Sequence, residues 1–258
     1  MLFSSTLLPL LLGASVVVDA GRADQRRGQG HAVDFSTFER DSDTIDEFLA
    51  QFRYKVSDSA IGASSDHTIA RVHEHGNVDI TDEGVLALTS RGQTDRRPNS
   101  AAQIESLDTF EFGTLETIAK ATATPGVCQG MFFYRADDAE VDIELLSSFY
   151  DEGYKDLVAP GVQFTNQALE LGKAPTTVGK RFGFDPTADY HNYTIRWTPT
   201  STDFYVDSKF QTRLTKNVPR TAAKIMFNVW SNGNPGWSAG PPRHDAVFSI
   251  RSFRFTPL

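Results

Sequence analysis

Glu140, Asp142 and Glu144 stand at every second position of a stretch in which Val141, Ile143 and Leu145 fill the gaps. That alternation matches a half-buried β-strand, which sets the three acids on one face and the apolar residues on the other. A helix would scatter them, because its middle member would lie about 200° round from the first. Carboxylates about 6–7 Å apart along a strand repel, so at least one is expected to keep its proton to higher pH than a free side chain does. General acid/base chemistry requires such a group. The Cα atoms of Glu140 and Glu144 are expected roughly 13 Å apart. If both side chains lean inward by about 4 Å, the carboxyl gap falls to roughly 5 Å, near that of retaining glycosidases and below that of inverting ones. The spacing therefore points to sugar chemistry through a covalent intermediate. The competing reading is a solvated acidic face on an edge strand, with Asp138 as a fourth member.

The rest of the chain must position that strand. With 258 residues it can bury one sizeable core, and one catalytic domain over 41–258 is the expectation. The formal net charge of −8, with no basic cluster, argues against nucleic acid or an anionic membrane surface as partner. A neutral polymer fits better, and the protein is expected to act as a monomer. Residues 1–20 read as a secretory signal, with an apolar run from Leu7 to Val18 and a small residue, Ala20, at the end. That run is too short to span a membrane, so no membrane insertion is expected and the mature protein should be secreted, extracellular or in a cell wall. Cys128 is the only cysteine, which excludes an intrachain disulfide. It reads as a small buried hydrophobe opening an apolar strand; a thiol nucleophile is the sharper alternative.

Residues 21–40 read as a disordered or processed lead-in. Aromatic residues recur among acids from Val33 to Tyr54, with a short helix expected around Thr44 to Arg53 and a strand after it. Ser57 to Asp66 reads as a Ser-rich loop. His73, Glu74 and His75 suggest a metal site only weakly, since adjacent strand residues point to opposite faces, and a solvated loop is preferred; no metal ligands are assigned. From Val78 onward short strands follow one another, first as a hairpin of 78–80 with 85–89 across the turn Asp82-Glu-Gly84. No internal repeat or strong amphipathic helix interrupts them, which favours an all-β sandwich.

Alternation also assigns faces. In Ile225-Met-Phe-Asn-Val-Trp230 the apolar face is Ile225, Phe227 and Val229, leaving Met226, Asn228 and Trp230 on the other. An indole offers a stacking surface to a pyranose ring and an amide offers fixed partners to its hydroxyls, so Asn228 and Trp230 suit a sugar cleft. A core Trp beside a turn Asn is the alternative. Trp237 lies in a Gly/Pro-rich loop, where it would rim the cleft or anchor the loop. Asn192-Tyr-Thr194 is an N-glycosylation sequon on an expected strand, which requires its face to be solvated and outside the cleft. His191, on the other face, reads as a packed histidine rather than a base.

The run Glu140-Val-Asp-Ile-Glu144 resembles the catalytic strand of glycoside hydrolase family 16. Residues 100–120 upstream, and Tyr190-His-Asn-Tyr-Thr-Ile-Arg-Trp-Thr-Pro199 with Asp203-Phe-Tyr-Val-Asp207, 225–230 and Gly236-Trp-Ser-Ala-Gly-Pro-Pro242 downstream, resemble family segments in the same order, so the resemblance covers about Val78 to Leu258. It implies a β-jelly-roll sandwich of two antiparallel sheets with a concave substrate cleft. It further implies Glu140 as nucleophile, Glu144 as acid/base, and Asp142 between them, hydrogen-bonding to Glu140 and keeping Glu144 protonated by repulsion. Phe133 falls where family members place a cleft aromatic, and Gln103 where they often carry a polar sugar contact. The activity implied is a secreted endo-β-glucanase acting on β-1,3/1,4-type glucan, since the uninterrupted triad resembles the mixed-linkage and transglycosylase branches. A cell-wall transglycosylase, or a lectin-like glycan-binding module on the same sandwich, are the alternatives. No cofactor is required; a structural Ca²⁺ held by backbone oxygens occurs in the family and would leave no side-chain spacing to read.

Overall fold

The computed structural model describes residues 29–64, 68–95, 97–154 and 156–258, so the expected signal segment and residues 21–28 of the lead-in lie outside the described residues. Strands are numbered in chain order. A back sheet runs β15 (Lys209–Leu214), β14 (Thr202–Val206), β13 (His191–Trp197), β8 (Gly113–Lys120), β17 (Ala246–Pro257), β6 (Leu86–Ser90) and β5 (Val78–Ile80), and β1 (His31–Asp34) also pairs with β17. A cleft sheet runs β12 (Thr176–Lys180), β11 (Val162–Asn166), β10 (Ala139–Leu146), β9 (Cys128–Ala136), β16 (Lys224–Trp230), β7 (Asn99–Ser106), β4 (Arg71–His73) and β3 (Ser59–Ile61). The architecture is the all-β sandwich of two sheets expected from the strand pattern.

One edge of β7 is shared. Its C-terminal half pairs antiparallel with β2 (Tyr54–Val56), while its first residues take β4 in parallel, Arg71 beside Asn99 and His73 beside Ala101. The short hairpin β3–β4 thereby widens the cleft sheet on that side.

Alternation builds the core. Val141, Ile143 and Leu145 of β10 are buried inside the sandwich with Phe227 and Phe164 from neighbouring strands, against Trp197, Phe204 and Phe253 of the back sheet. Phe227 and Phe253 meet with ring centroids 4.7 Å apart. Each such side chain contributes about 1.5–3 kcal/mol relative to leaving it exposed. The inner faces of β10 and β16 are those the alternation predicts, so their acidic and polar residues must turn outward.

The helix expected near Thr44 is α1 (Ile45–Gln51). Thr44 caps it in a reciprocal capping box with Glu47, and Phe48 and Leu49 are buried. Three readings of the N-terminal part are corrected. Within the supposed lead-in, His31–Asp34 forms β1 along β17, and Val33 and Phe35 are core residues. Within the supposed Ser-rich loop, Ser59–Ile61 forms β3. His73 lies in β4 and is buried rather than in a solvated loop. Strands this short carry little period of their own, and β1, β3 and β4 lack the apolar alternation and turn signals that mark the equally short β5. Among the described residues no helix is long and apolar enough to cross a membrane.

Candidate active site

Strand register assembles the site. On β10, Glu140, Asp142 and Glu144 lie opposite Tyr134, Phe132 and Gly130 of β9. Those three lie opposite Lys224, Met226 and Asn228 of β16, and Met226 and Asn228 lie opposite Glu105 and Gln103 of β7. Directly paired residues share a face, so three rows of side chains cross the outer surface of the sheet. A cleft of about 550 Å³ lies over them, with all three acids, Gln103, Asn228 and Trp230 in its lining. The register of β9 shifts between Ala139 and Glu140, a bulge at the entry to the acidic run.

Gly130 matters because it has no side chain. It sits between Glu144 and Asn228 across the strands, and a Cβ there would come within 2.6 Å of Asn228 Oδ1. The floor beside Glu144 is thereby left open to a ligand.

Burial governs the acids. It raises Glu140 to about 7, helped by the charge of Glu144 and opposed by a hydrogen bond from Asp142. Asp142 is pushed well above the usual carboxylate range, first by burial and then by the charges of Glu140 and Glu144. Its hydrogen bond with Glu140 raises Asp142 and lowers Glu140. Gln167 Nε2 donates to Asp142 Oδ2 at 3.1 Å and fixes its other oxygen. Burial also raises Glu144.

Two donors converge on one oxygen of Glu144. Cys128 Sγ lies 3.1 Å and Trp237 Nε1 3.3 Å from Oε1. With Oε1 engaged as acceptor, Oε2 is the oxygen left to carry the proton. Cys128 is buried as expected, but on the cleft side of β9, where its thiol donates to an acid. Burial and the neighbouring Glu144 push that thiol well above its usual value, which removes it as a nucleophile.

The other sequence-derived candidates divide. Asn228 Nδ2 donates to Gln103 Oε1 at 3.3 Å, and both line the cleft. Trp230 lines it too, but the Arg71 guanidinium lies over its ring at 4.3 Å, and the indole is only 8% exposed. Its stacking surface is therefore largely taken. Trp237 is tied to Glu144 rather than standing at a rim. Phe133 is a correction: it is fully buried in the core, its ring 5.3 Å from that of Trp197. The cleft aromatics on β9 are Phe132 and Tyr134. Since 131, 132 and 133 are all apolar, alternation could not choose between adjacent phenylalanines; the pairing of Gly130 with Glu144 does. Asn192 lies on the outer face of β13, opposite the buried Tyr193 and Ile195 and on the sheet away from the cleft. His191 is stacked on Phe184 at 3.8 Å, its Nδ1 2.8 Å from Asp207.

Sequence reasoning missed Phe132, Tyr134, Arg71, Ser59 and Gln167, and weighed His73 only as a metal ligand. The even parity of 128, 130, 132 and 134 was the available signal for the first two; nothing in the sequence pairs β4 with β7. Among the described residues no group of three or more His, Cys, Asp or Glu is placed to hold a metal ion.

The model of the family described as glycosyl hydrolases family 16 matches residues 65–246. Among curated relatives, the chain is 33% identical over 138 residues to a beta-glucanase of Acetivibrio thermocellus, covering 52% of this chain and 38% of that one. It is 26% identical over 197 residues to a beta-glucanase of Paenibacillus polymyxa, covering 74% and 78%. The chain thus spans well under half of the first relative's length. Among solved structures, the Bacillus licheniformis beta-glucanase superposes with a TM-score of 0.68 at 20% identity, covering 90% of this chain and 99% of that one. A structure described as apo Crh5 transglycosylase superposes at 0.58 with 21% identity, covering 90% and 86%. At these identities the superpositions bear on the fold.

Proposed function

We propose that this chain, which belongs to glycosyl hydrolases family 16, is a retaining endo-β-glucanase acting on a β-1,3/1,4-type glucan. The observation that carries the reading is the division of labour among three acids on one cleft face. Glu140 shares a hydrogen bond with Asp142 that lowers it against burial, while burial raises Glu144, one oxygen of which is anchored by Cys128 and Trp237. Both relatives named above are described as beta-glucanases.

In the first step Glu140 attacks the anomeric carbon. The glycosidic C–O bond breaks as the Glu144 proton passes to the leaving oxygen, giving a glycosyl ester on Glu140 and an ionised Glu144. In the second step Glu144 takes a proton from water, whose oxygen displaces Glu140 at the same carbon. Two inversions retain the configuration. Phe132 and Tyr134 supply apolar surface to the sugar faces, and Gln103 and Asn228 supply amides to its hydroxyls. No cofactor enters. A structural Ca²⁺ would have to rest on backbone carbonyls, given the lack of clustered side-chain ligands among the described residues.

Secretion, a monomeric state and a glycan on Asn192 belong to the same reading. They rest on the apolar run of 1–20 and on the outward face of β13. The deciding experiment measures reducing ends released from a panel of β-glucans, with labelled acceptor oligosaccharide present and the first-formed anomer followed by NMR. Release of β-anomeric ends by the native chain and none by Glu140→Gln is expected. Binding without release would make the protein a lectin-like module, an inverted anomer would remove the covalent intermediate, and label transferred in place of free ends would make it a transglycosylase.

A further inference from the structure

The hairpin β3–β4 brings to the cleft a cation that the chemistry above does not use. Arg71 lines the cleft together with His73 and Ser59, and its guanidinium lies over Trp230. Among the described residues Arg71 Nε and Nη1 are buried and have no hydrogen-bond partner. His73 Nε2 and Asn228 Oδ1, in the same lining, are buried without partners as well. His73 itself is 3% exposed, its Nδ1 engaged with Ser59 Oγ at 2.8 Å. Burial and the neighbouring Arg71 lower it to about 4, so the ring is neutral at ordinary pH.

Buried polar groups in native proteins are almost always hydrogen-bonded, and an unpaired buried cation is costlier than an unpaired amide. The Trp230 ring and the charges of Glu144 and Glu140 offset part of that cost. Neither satisfies a directional N–H. Unmet donors and an unmet acceptor gathered in one cleft mark a place where a polar ligand completes the set.

The geometry also says which ligand. Nε–H and Nη1–H leave a guanidinium along different edges, so one planar carboxylate cannot take both, whereas hydroxyls spread round a sugar ring can. The adjacent acids further disfavour an anion. Asn228 Oδ1 needs a donor, which a hydroxyl supplies and a carboxylate does not.

We propose that Arg71 and His73, on the added strand β4, form a sugar subsite on the β7–β4 side of the cleft, where they bind the hydroxyls of a neutral glucosyl unit. This rests on the glycosidase reading above and deepens it. Arg71 is here a specificity-determining residue, and the unit it holds belongs to the same glucan chain whose bond the acids cleave.

The test uses the full chain carrying Glu140→Gln, titrated calorimetrically with a β-1,3/1,4-gluco-oligosaccharide and with a glucuronan oligosaccharide of equal length. Adding Arg71→Gln is expected to weaken binding of the neutral ligand about 10- to 100-fold, the worth of hydrogen bonds to a charged group. In the otherwise native protein Arg71→Gln is expected to raise KM far more than it lowers kcat, with the far-UV spectrum unchanged and the pH limbs moved upward by loss of a charge that lowers Glu140 and Glu144. Arg71→Lys, which keeps the charge but not the guanidinium edges, is expected to stay at least 10-fold weaker than native. Unchanged affinity in Arg71→Gln, full recovery by Lys, tighter binding of the glucuronan, or a shifted pH limb at unchanged KM would each overturn the subsite. If the native chain releases no ends from any β-glucan, the catalytic reading fails instead, and the titration still decides the role of Arg71.

Discussion

Replacing the nucleophile should make the protein more stable at neutral and alkaline pH while abolishing turnover. Glu140 rises from 4.5 to about 7 in the folded chain, with burial as the first cause. A carboxyl that ionises less readily when folded stabilises the fold fully below its unfolded value, and that contribution is lost as pH climbs through the folded one. The window is therefore about pH 4.5 to 7. The rise from 4.5 to about 7 corresponds to a ceiling of about 3 kcal/mol at about 1.4 kcal/mol per tenfold. Because Asp142 and Glu144 titrate with Glu140, part of that energy redistributes when it is removed, and about 1–3 kcal/mol is the working range. For a chain of this size each kcal/mol moves Tm by about 2–4 °C. Glu140→Gln keeps the shape and leaves an amide oxygen to accept from Asp142. The assay is the difference in Tm between Glu140→Gln and the native chain, by calorimetry at steps from pH 4 to pH 8.5; pH-independent effects of the substitution cancel. The difference should grow by about 2–12 °C across the window in favour of the variant. A difference that stays flat with pH, or one that grows in favour of the native chain, would show that Glu140 is not desolvated in the folded chain and would remove the electrostatic basis for its role.

Three further outcomes follow from named contacts. Cys128→Ala removes one of the two donors on Glu144 Oε1. Since those bonds lower Glu144 against burial, the alkaline limb of kcat/KM should move upward and kcat should fall about fivefold, the worth of a neutral hydrogen bond, with Cys128→Ser recovering both. Phe133→Ala should cost about 3–5 kcal/mol in denaturant unfolding with KM unchanged, whereas Phe132→Ala, on the cleft face, should raise KM several-fold besides its cost in stability. Gly130→Ala drives a methyl against Asn228 Oδ1 and should lower kcat/KM up to about 100-fold; combined with Asn228→Ala it should cost no more than Asn228→Ala alone, because the two share one contact.

What could be read in advance depended on whether opposite faces of a strand differ in polarity. On β10 they differ at every position, so three acids outward and Val141, Ile143 and Leu145 inward could be assigned from alternation. On β16 the contrast is weaker but still separates Asn228 and Trp230 from Phe227 and Val229. On β9 both faces are apolar from 131 to 133, and the choice of Phe133 for the cleft failed where local chemistry carried no information. There the answer depended on which residue of β9 pairs with Glu144. The short strands β1, β3 and β4 were out of reach for another reason. Their positions are set by pairing with β17 and β7, strands far along the chain, so Arg71 and His73 reach the cleft through long-range register that no window of sequence contains.

The two faces of β10 also explain how the fold tolerates its site. The outward face carries a trio of buried acids, of which Glu140 alone costs up to about 3 kcal/mol when ionised. The inward face buries Val141, Ile143 and Leu145, each contributing about 1.5–3 kcal/mol. The apolar face of the one strand thus outweighs the ionisation cost of its nucleophile by a factor of about two. A period-two strand is suited to this because consecutive side chains serve opposite ends, and a helix of the same composition would mix them. It follows that trimming the inward face should impair the acids indirectly. Ile143→Ala lies between Asp142 and Glu144, and the roughly 2–5 kcal/mol it removes should narrow the pH range over which the chain stays folded at its alkaline edge first, where the charged trio adds its own cost.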